Sequence, residues 1–302
     1  MTWHLSGWQY RREITINEQS GNALSNYQVK VEFGSGDPIF DHARSDAADV
    51  RFTDEDGNLI DFWREEWDPT GESATFWVEV PSIPANGSAK IYCYYGKPDE
   101  TEDKSDVNAT MDWYDDFAGN HALSDYTIED YGDSATPSNW EIDTTNQILY
   151  QHSNIYYSPS DEHNIGSVLL TGVNLKNVCI EFKTKRVDDD AAGCVFCWQS
   201  ISSHYGFGET NDYWFGVGSR ARAEAWKQTG STTHDVIDSS TNEGSASGLY
   251  SYKITCFNGT IKVYRDGSLL LSGTDTSPLD AGDAGLFTNG CDECEFHPPF
   301  II

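Results

Sequence analysis

The segment KITCFNGTIKVYRDGSLLLSG, residues 253 to 273, constrains the fold more than any other stretch of the chain. The dipeptides Asn258-Gly259 and Asp266-Gly267 separate three short runs in which apolar and polar residues alternate. Asn-Gly and Asp-Gly accept the left-handed backbone of a two-residue hairpin turn, and a period of two is the pattern of a half-buried strand. A three-stranded antiparallel meander is therefore expected. The same period appears at Val29, Val31 and Phe33 against Gln28, Lys30 and Glu32, and at Val178, Ile180 and Phe182 against Glu181, Lys183 and Lys185. No long stretch keeps a 3.6-residue apolar period, so the expected class is all-β with little helix.

Upstream, YRREITI, YQVKVEF, DVRFT, LIDFWREEW, ATFWVEV and AKIYCYY read as a run of strands, with Asp56-Gly57 as a hairpin turn. Residues 97 to 112 (KPDETEDKSDVNATMD) then lose almost all apolar content and gain charge, which marks a boundary. The sequence thus divides into an all-β domain over 1–98, an acidic linker over 99–112 and a second all-β domain over 113–302.

The chain carries 49 Asp plus Glu against 19 Lys plus Arg, a formal net charge of -30 spread along its length. Phosphate binding needs clustered Lys and Arg, so nucleic acid is excluded as a partner. Hydrated carboxylates suit a solvated surface, and they equally suit high salt, where screening relieves self-repulsion. No apolar run is long enough to span a bilayer, and Met1 to Tyr10 has neither a basic start nor an apolar stretch, so neither membrane insertion nor a secretory leader is expected. Asn86, Asn108 and Asn258 open glycosylation sequons.

Seven cysteines leave at least one without an intrachain partner. Cys194 and Cys197 together with Cys291 and Cys294 have the spacing of four zinc thiolates. Yet Cys194 and Cys197 lie in an expected strand, where side chains three apart point to opposite faces, so a disulfide or plain buried thiols is the preferred expectation.

The candidate ligand-binding residues come from two neighbouring strands. On YWFGV, Tyr213, Phe215 and Val217 are expected to face the core, leaving Asp212 and Trp214 on the open face. On the next strand Arg222, Glu224 and Trp226 alternate with Ala221, Ala223 and Ala225 and are expected to face outward. Indoles stack on the apolar faces of sugar rings while Arg and carboxylates take hydroxyl hydrogen bonds, so this patch suits a glycan. An interface with another subunit and an inert solvated face are the alternatives. Neither HExxH nor GxSxG nor a glycine-rich phosphate loop occurs.

Two resemblances add to these readings. Trp8, Tyr10, Arg11 and Ile14 (WxYRxxI), DVRFTDEDG at 49–57, Trp63, Trp67 and IYCYYG at 91–96 resemble a domain-of-unknown-function family of archaeal, bacterial and viral surface proteins, over nearly all of residues 8 to 96. The resemblance implies a β-sandwich in a surface context and no particular activity. YDDF at 114–117, Trp140, EFKTKR at 181–186, YGF at 205–207, YWFGV at 213–217 and the meander ending in YRDG resemble the concanavalin A-like lectin and glucanase superfamily. That implies a jelly roll for 113–302, and fold alone leaves function open. Glu141-Ile142-Asp143 is similar to the first half of the glucanase carboxylate motif, but Thr144 to Gln147 supply no second acid, so no catalytic residue is assigned. Relatives of the second domain imply a structural calcium held by Asp116, or its neighbour Asp115, together with Glu295, whereas Asp54, Asp56 and Asn58 fit a hairpin better than a calcium loop.

The expectation that follows is an extracellular or virion surface protein of a halophilic archaeon or its virus, binding a cell-surface glycan and forming a homo-oligomer or larger assembly. A decoration subunit without ligand comes second, and a glycoside hydrolase using Asp212 and Glu224 last.

Overall fold

A computed structural model describes residues 3–132, 137–155, 165–187, 190–210, 223–230, 233–241 and 247–302. The chain forms two compact units, Met1–Asp112 and Trp113–Ile302.

The first unit holds strands β1 (Tyr10–Asn17), β2 (Leu24–Phe33), β3 (Arg51–Thr53), β4 (Leu59–Ile60), β5 (Phe62–Asp68), β6 (Ser73–Ile83) and β7 (Ser88–Tyr95). They make an antiparallel sheet β1-β7-β3-β4 and a second sheet β2-β6-β5. Alternation decides which side of each strand is buried: Val31, Phe33, Phe62, Phe76, Val78 and Val80 from one sheet join Phe52, Ile91, Cys93 and Tyr95 from the other in a single core. At the Asp56-Gly57 turn, Asp54 accepts hydrogen bonds from the amides of Asp56 and Asn58 and from the Asn58 side chain, so its carboxylate closes a hairpin.

The acidic segment 99–112 is not a free linker; it belongs to the first unit. Ser105 bridges Phe62, the Asp106 amide donates to Phe62 O at 2.9 Å, and Arg64 pairs with Asp103 at 2.6 Å. Asp106 caps helix α2, numbered after α1 (Ile39–His42), over Val107–Thr110, and Thr110 and Met111 are buried. Its carboxylates serve a cap and an ion pair and its backbone pairs with β5, while the boundary between the two units falls at its end, between Asp112 and Trp113.

The second unit contains β8 (Tyr114–Asp115), β9 (Thr127–Asp130), β10 (Trp140–Asp143), β11 (Ile148–Gln151), β12 (Ser167–Leu170), β13 (Val178–Lys185), β14 (Ala191–Ser200), β15 (Ser203–Glu209), β16 (Ala223–Gln228), β17 (His234–Ser240), β18 (Leu249–Phe257), β19 (Thr260–Arg265), β20 (Ser268–Thr274), β21 (Asp283–Asn289) and β22 (Cys294–Ile301). One sheet runs β10-β11-β22-β13-β18-β19-β20 with β8 beside β22; the other runs β17-β16-β15-β14-β21-β12-β9. The protein is all-β, and this unit is an antiparallel two-sheet sandwich of the jelly-roll kind. The meander is β18-β19-β20, and its turns carry φ of 47° and 78° at Asn258-Gly259 and 48° and 76° at Asp266-Gly267. Two consecutive positive φ values match the twist of a tight hairpin.

Between the sheets lies a core that includes Phe182, Ile254, Val263, Phe196, Phe207 and Leu286. A second buried cluster, Ile165, Val168, Leu170, Ala191, Val195, Trp198, Trp226 and Phe287, covers the other face of the seven-stranded sheet. The inner strands of that sheet, β12, β21, β14, β15 and β16, are therefore buried on both faces, while the edge strands β17 and β9 are largely exposed.

Cysteine placement departs from the strand expectation. Between Val195↔Gly285 and Trp198↔Asp283, β14 advances three residues while β21 advances two, a one-residue bulge with Cys197 at φ 49°. The bulge resets the alternation, so Cys194 and Cys197 both point into the core between the sheets. They do not meet Cys291 and Cys294, which form a disulfide with each other.

Candidate functional site

The outer face of the seven-stranded sheet is laid out by register. One row runs Leu170, Gly285, Val195, Gly206, Trp226, Val236 across β12, β21, β14, β15, β16 and β17. The next runs Val168, Phe287, Gly193, Gly208, Glu224, Ser239. Glycines thus occupy the middle of both rows and leave a trough floored by backbone. The Trp226 indole lies flat in it: a Cβ added at Gly206 would sit 2.2 Å from Trp226 Cζ2 and 2.4 Å from Cε2. Across the trough, Trp226 meets Phe287 edge-on at 5.8 Å between ring centroids, although three strand steps separate them.

Polar groups share this face. His204 stacks on Trp198 at 4.5 Å, and its Nδ1 lies 3.1 Å from Ser200 O. Gln228 Nε2 donates to Gly230 O at 2.6 Å, while its buried Oε1 has no hydrogen-bond partner among the described residues. Glu224 lies beside Gly208.

Of the expected ligand residues, Asp212, Trp214 and Arg222 lie outside the described residues. Glu224 and Trp226 do alternate with Ala223 and Ala225, which enter the core between the sheets. The expected exposure is wrong: Glu224 is 2% and Trp226 1% exposed. Alternation separates the two faces of a strand, and it cannot say that the second face is open. Trp198 and His204 were missed because the bulge at Cys197 has no signature in CVFCWQ, whereas the alternating glycines of YGFG did signal a close approach.

Behind the trough, charges are paired within the sandwich. Glu209 lies 2.9 Å from Arg265 and 3.5 Å from Arg186, all three largely buried. Lys227 pairs with Asp275 at 2.8 Å, and the Tyr205 hydroxyl donates to the same carboxylate at 2.7 Å. Burial opposes ionisation of Asp275, yet Lys227 and Tyr205 hold it below the usual carboxylate range.

The remaining expected sites are dispersed. Asp143 accepts the amides of Thr145 and Asn146 in a turn, and Glu141 pairs with His152 at 3.1 Å, so the glucanase-like segment is a hairpin bracing a histidine. His152 also faces Glu293 at 2.7 Å; burial works against its charge, but the two carboxylates raise its pKa. Asp116 and Glu295 are not brought together. Asp115 pairs with Phe300, five residues along β22 from Glu295, a separation of about 16 Å at strand rise. Glu295 is taken up by Lys185 at 2.7 Å and His297 at 2.8 Å. Among the described residues no cluster of three metal-ligating side chains occurs.

Comparison with known proteins gives one family and a set of folds. Residues 46–143 match the family described as "Domain of unknown function (DUF2341)". The matched stretch starts inside the first unit and ends on β10 of the second, so it overlaps the expected 8–96 only in part and crosses the unit boundary. No curated protein matches the chain. Similar solved structures include the carbohydrate binding module CBM66 from Bacillus subtilis (16% identity, 54% of this chain and 91% of that one, TM-score 0.43) and a Bacillus subtilis protein of unknown function with a galectin-like fold (10%, 63% and 94%, TM-score 0.45). A beta-glucanase from Bacillus licheniformis is similar at 11% identity over 63% of this chain and 94% of that one, TM-score 0.42. Identities this low and TM-scores under 0.5 decide nothing about ligand or chemistry. Among the described residues no helix is long and apolar enough to cross a membrane.

Proposed function

We propose that the second unit recognises a glycan at the outer face of its seven-stranded sheet and binds it without cleaving it. The glycine trough carries this reading: it holds the Trp226 indole in the same layer as Trp198, His204, Glu224 and Gln228, the mixture of flat aromatic and hydrogen-bonding groups that sugars require. Trp226 and Glu224 form the buried floor of the site. Asp212, Trp214 and Arg222 supply the direct contacts, Arg222 being the residue that leads into β16. An extracellular or virion-surface setting, a halophilic archaeal source and assembly into a homo-oligomer belong to the same proposal, and the net charge of -30 supports the first two.

A glycan array probed in about 2 M salt, where screening removes most charge repulsion, tests it. Binding is expected, with Trp214→Ala and Arg222→Ala each weakening it at least about tenfold. Absence of binding on a broad array, or binding that both variants leave intact, overturns the proposal. Release of reducing sugar that Glu224→Gln abolishes would replace it with a hydrolase. Native mass in the same salt decides whether the chain assembles.

A further inference from the structure

We propose that copies of this chain associate head to tail, the outer face of β22, β13, β18 and β19 in the second unit of one copy docking on the outer face of β2, β6 and β5 in the first unit of the next. This contact gives the assembly part of the proposed function its two surfaces and rests on that reading; the glycan site is not involved. The first surface is basic in an acidic chain. Val178, Ile180, Phe182, Tyr252 and Ile254 turn into the core, so the residues that alternate with them point away from it. Register brings Lys183 and Lys185 of β13, Lys253 of β18 and Lys262 of β19 onto that side. These are four of the chain's ten lysines, and the acidic residues of the same four strands are Glu181 and Glu295 alone. Lys253 pairs with Glu181 at 2.6 Å and Lys185 with Glu295 at 2.7 Å, which leaves Lys183 and Lys262 without a salt bridge among the described residues. Leu249 and Leu269, 48% and 57% exposed, lie opposite Lys185 and Tyr264 on this face. Exposed leucines among lysines suit a protein partner better than a polysaccharide.

The second surface has the opposite charge. With Phe76 and Val78 in the core of the first unit, Trp77 and Glu79 face outward on β6. Trp77 stands between Lys30 and Trp63, and Thr75 between Glu32 and Glu66. Glu65 accepts a hydrogen bond from the Trp77 indole at 2.9 Å. The cations of these three strands are already engaged, Lys30 with Glu32 at 2.8 Å and Arg64 with Asp103 at 2.6 Å. Glu65, Glu66 and Glu79 have no salt bridge among the described residues. Burial, with Asp61 and Asp112 nearby, raises the pKa of Glu79, as for a carboxylate short of a counter-ion. Docking sets unpaired lysines against unpaired glutamates and gives the ammonium groups two indoles to lie on. Neither face fits a copy of itself, because like charges would meet, so the contact is heterologous and extends from copy to copy. Three strands about 4.8 Å apart and about eight residues long offer on the order of 400 Å² to the partner, near the low end of specific contacts, so association is weak and reversible. Chains of net charge -30 repel one another, but in about 1 M salt the Debye length falls to about 3 Å and distant charges are screened more than the desolvated pairs at the contact.

Sedimentation of the full chain in about 1 M salt, over about 10–500 µM, tests the contact. The mass of the unsubstituted chain should rise with concentration. Lys183→Glu with Lys262→Glu should remain monomeric, and so should Glu65→Lys with Glu66→Lys. An equimolar mixture of the two double variants should associate again, since each brings one intact face. Association that either double variant leaves unchanged overturns these surfaces and leaves assembly itself standing. A mixture that stays monomeric also overturns them, and an unsubstituted chain that is monomeric throughout overturns both. Should a double variant fail to fold, carbodiimide coupling of the unsubstituted chain decides: the dimer band is expected to hold Lys183 or Lys262 joined to Glu65 or Glu66, and a dimer band without these links overturns the proposal.

Discussion

Gly206→Ala tests the packing that organises the candidate site. The added methyl would lie 2.2 Å, 2.4 Å and 2.7 Å from three atoms of the Trp226 indole, so the ring must lift. Trp226 is 1% exposed and packs with Phe287 and its neighbours, which leaves the ring little room to move. Overpacking of this kind costs about 1–3 kcal/mol, offset by about 0.5–1 kcal/mol because alanine replaces a flexible glycine in a strand. Trp226→Ala alone costs about 3–5 kcal/mol through the void it leaves. Added to Trp226→Ala, however, Gly206→Ala should be neutral or stabilising, since its methyl enters that void. The double-mutant cycle should therefore show a coupling of about 1–3 kcal/mol, the overpacking cost that the void removes, read from denaturant midpoints of the second unit's transition. Additivity within about 0.5 kcal/mol, with Gly206→Ala itself silent, would refute the packed floor and restore an indole free to swing into solvent.

Three further outcomes follow from buried or clasped charges. Glu209→Gln removes the buried carboxylate that Arg186 and Arg265 share and should lower stability by about 3–5 kcal/mol in chemical denaturation; a loss under about 1 kcal/mol counts against a buried triad. His152 has a folded-state pKa raised above its ordinary 6.5, so its link to Glu141 and Glu293 stabilises fully below that value and fades as pH rises through the folded pKa. The melting-temperature gap between the unsubstituted chain and His152→Gln should accordingly be widest near pH 5.5 and close at higher pH, and a gap that widens instead would reverse the assignment. Glu18 accepts hydrogen bonds from the Ser20 hydroxyl and from the amides of Ser20, Asn86 and Gly21, and its pKa falls to about 2. Its stabilisation is present above the ordinary 4.5 and lost as pH drops toward 2, so the Glu18→Gln deficit measured at pH 6 should vanish in acid.

What the sequence disclosed follows from which physical signals are local. Alternation in YQVKVEF and the Asn-Gly and Asp-Gly turns of the meander report backbone geometry within a few residues, and both strand and turn positions match the structure. The acidic segment misled because its charges are spent on partners far upstream in the chain, such as Glu100 with Arg51 and Asp103 with Arg64. Glu224 and Trp226 misled for a different reason. Whether the second face of a strand is wet depends on what packs over it, and period-two patterning carries no information about that. One local signal did exist: AAGCVFCW on β14 is an unbroken apolar run, the mark of a strand buried on both sides.

Two-sided burial also separates the two ways in which a glycan could use this face. If Trp226 is the stacking surface, binding must first lift a ring packed against Phe287, and the apparent affinity is reduced by the small fraction of molecules in which the ring is raised. Gly206→Ala, which forces the ring upward, would then tighten glycan binding while weakening the fold. If Asp212, Trp214 and Arg222 make the contacts and Trp226 only supports them, the same substitution disturbs the floor and weakens binding along with stability. A glycan titration of Gly206→Ala beside the unsubstituted chain distinguishes these by sign. The arrangement of the glycines favours the supporting role, because a trough that seats the indole against backbone stabilises its lowered position.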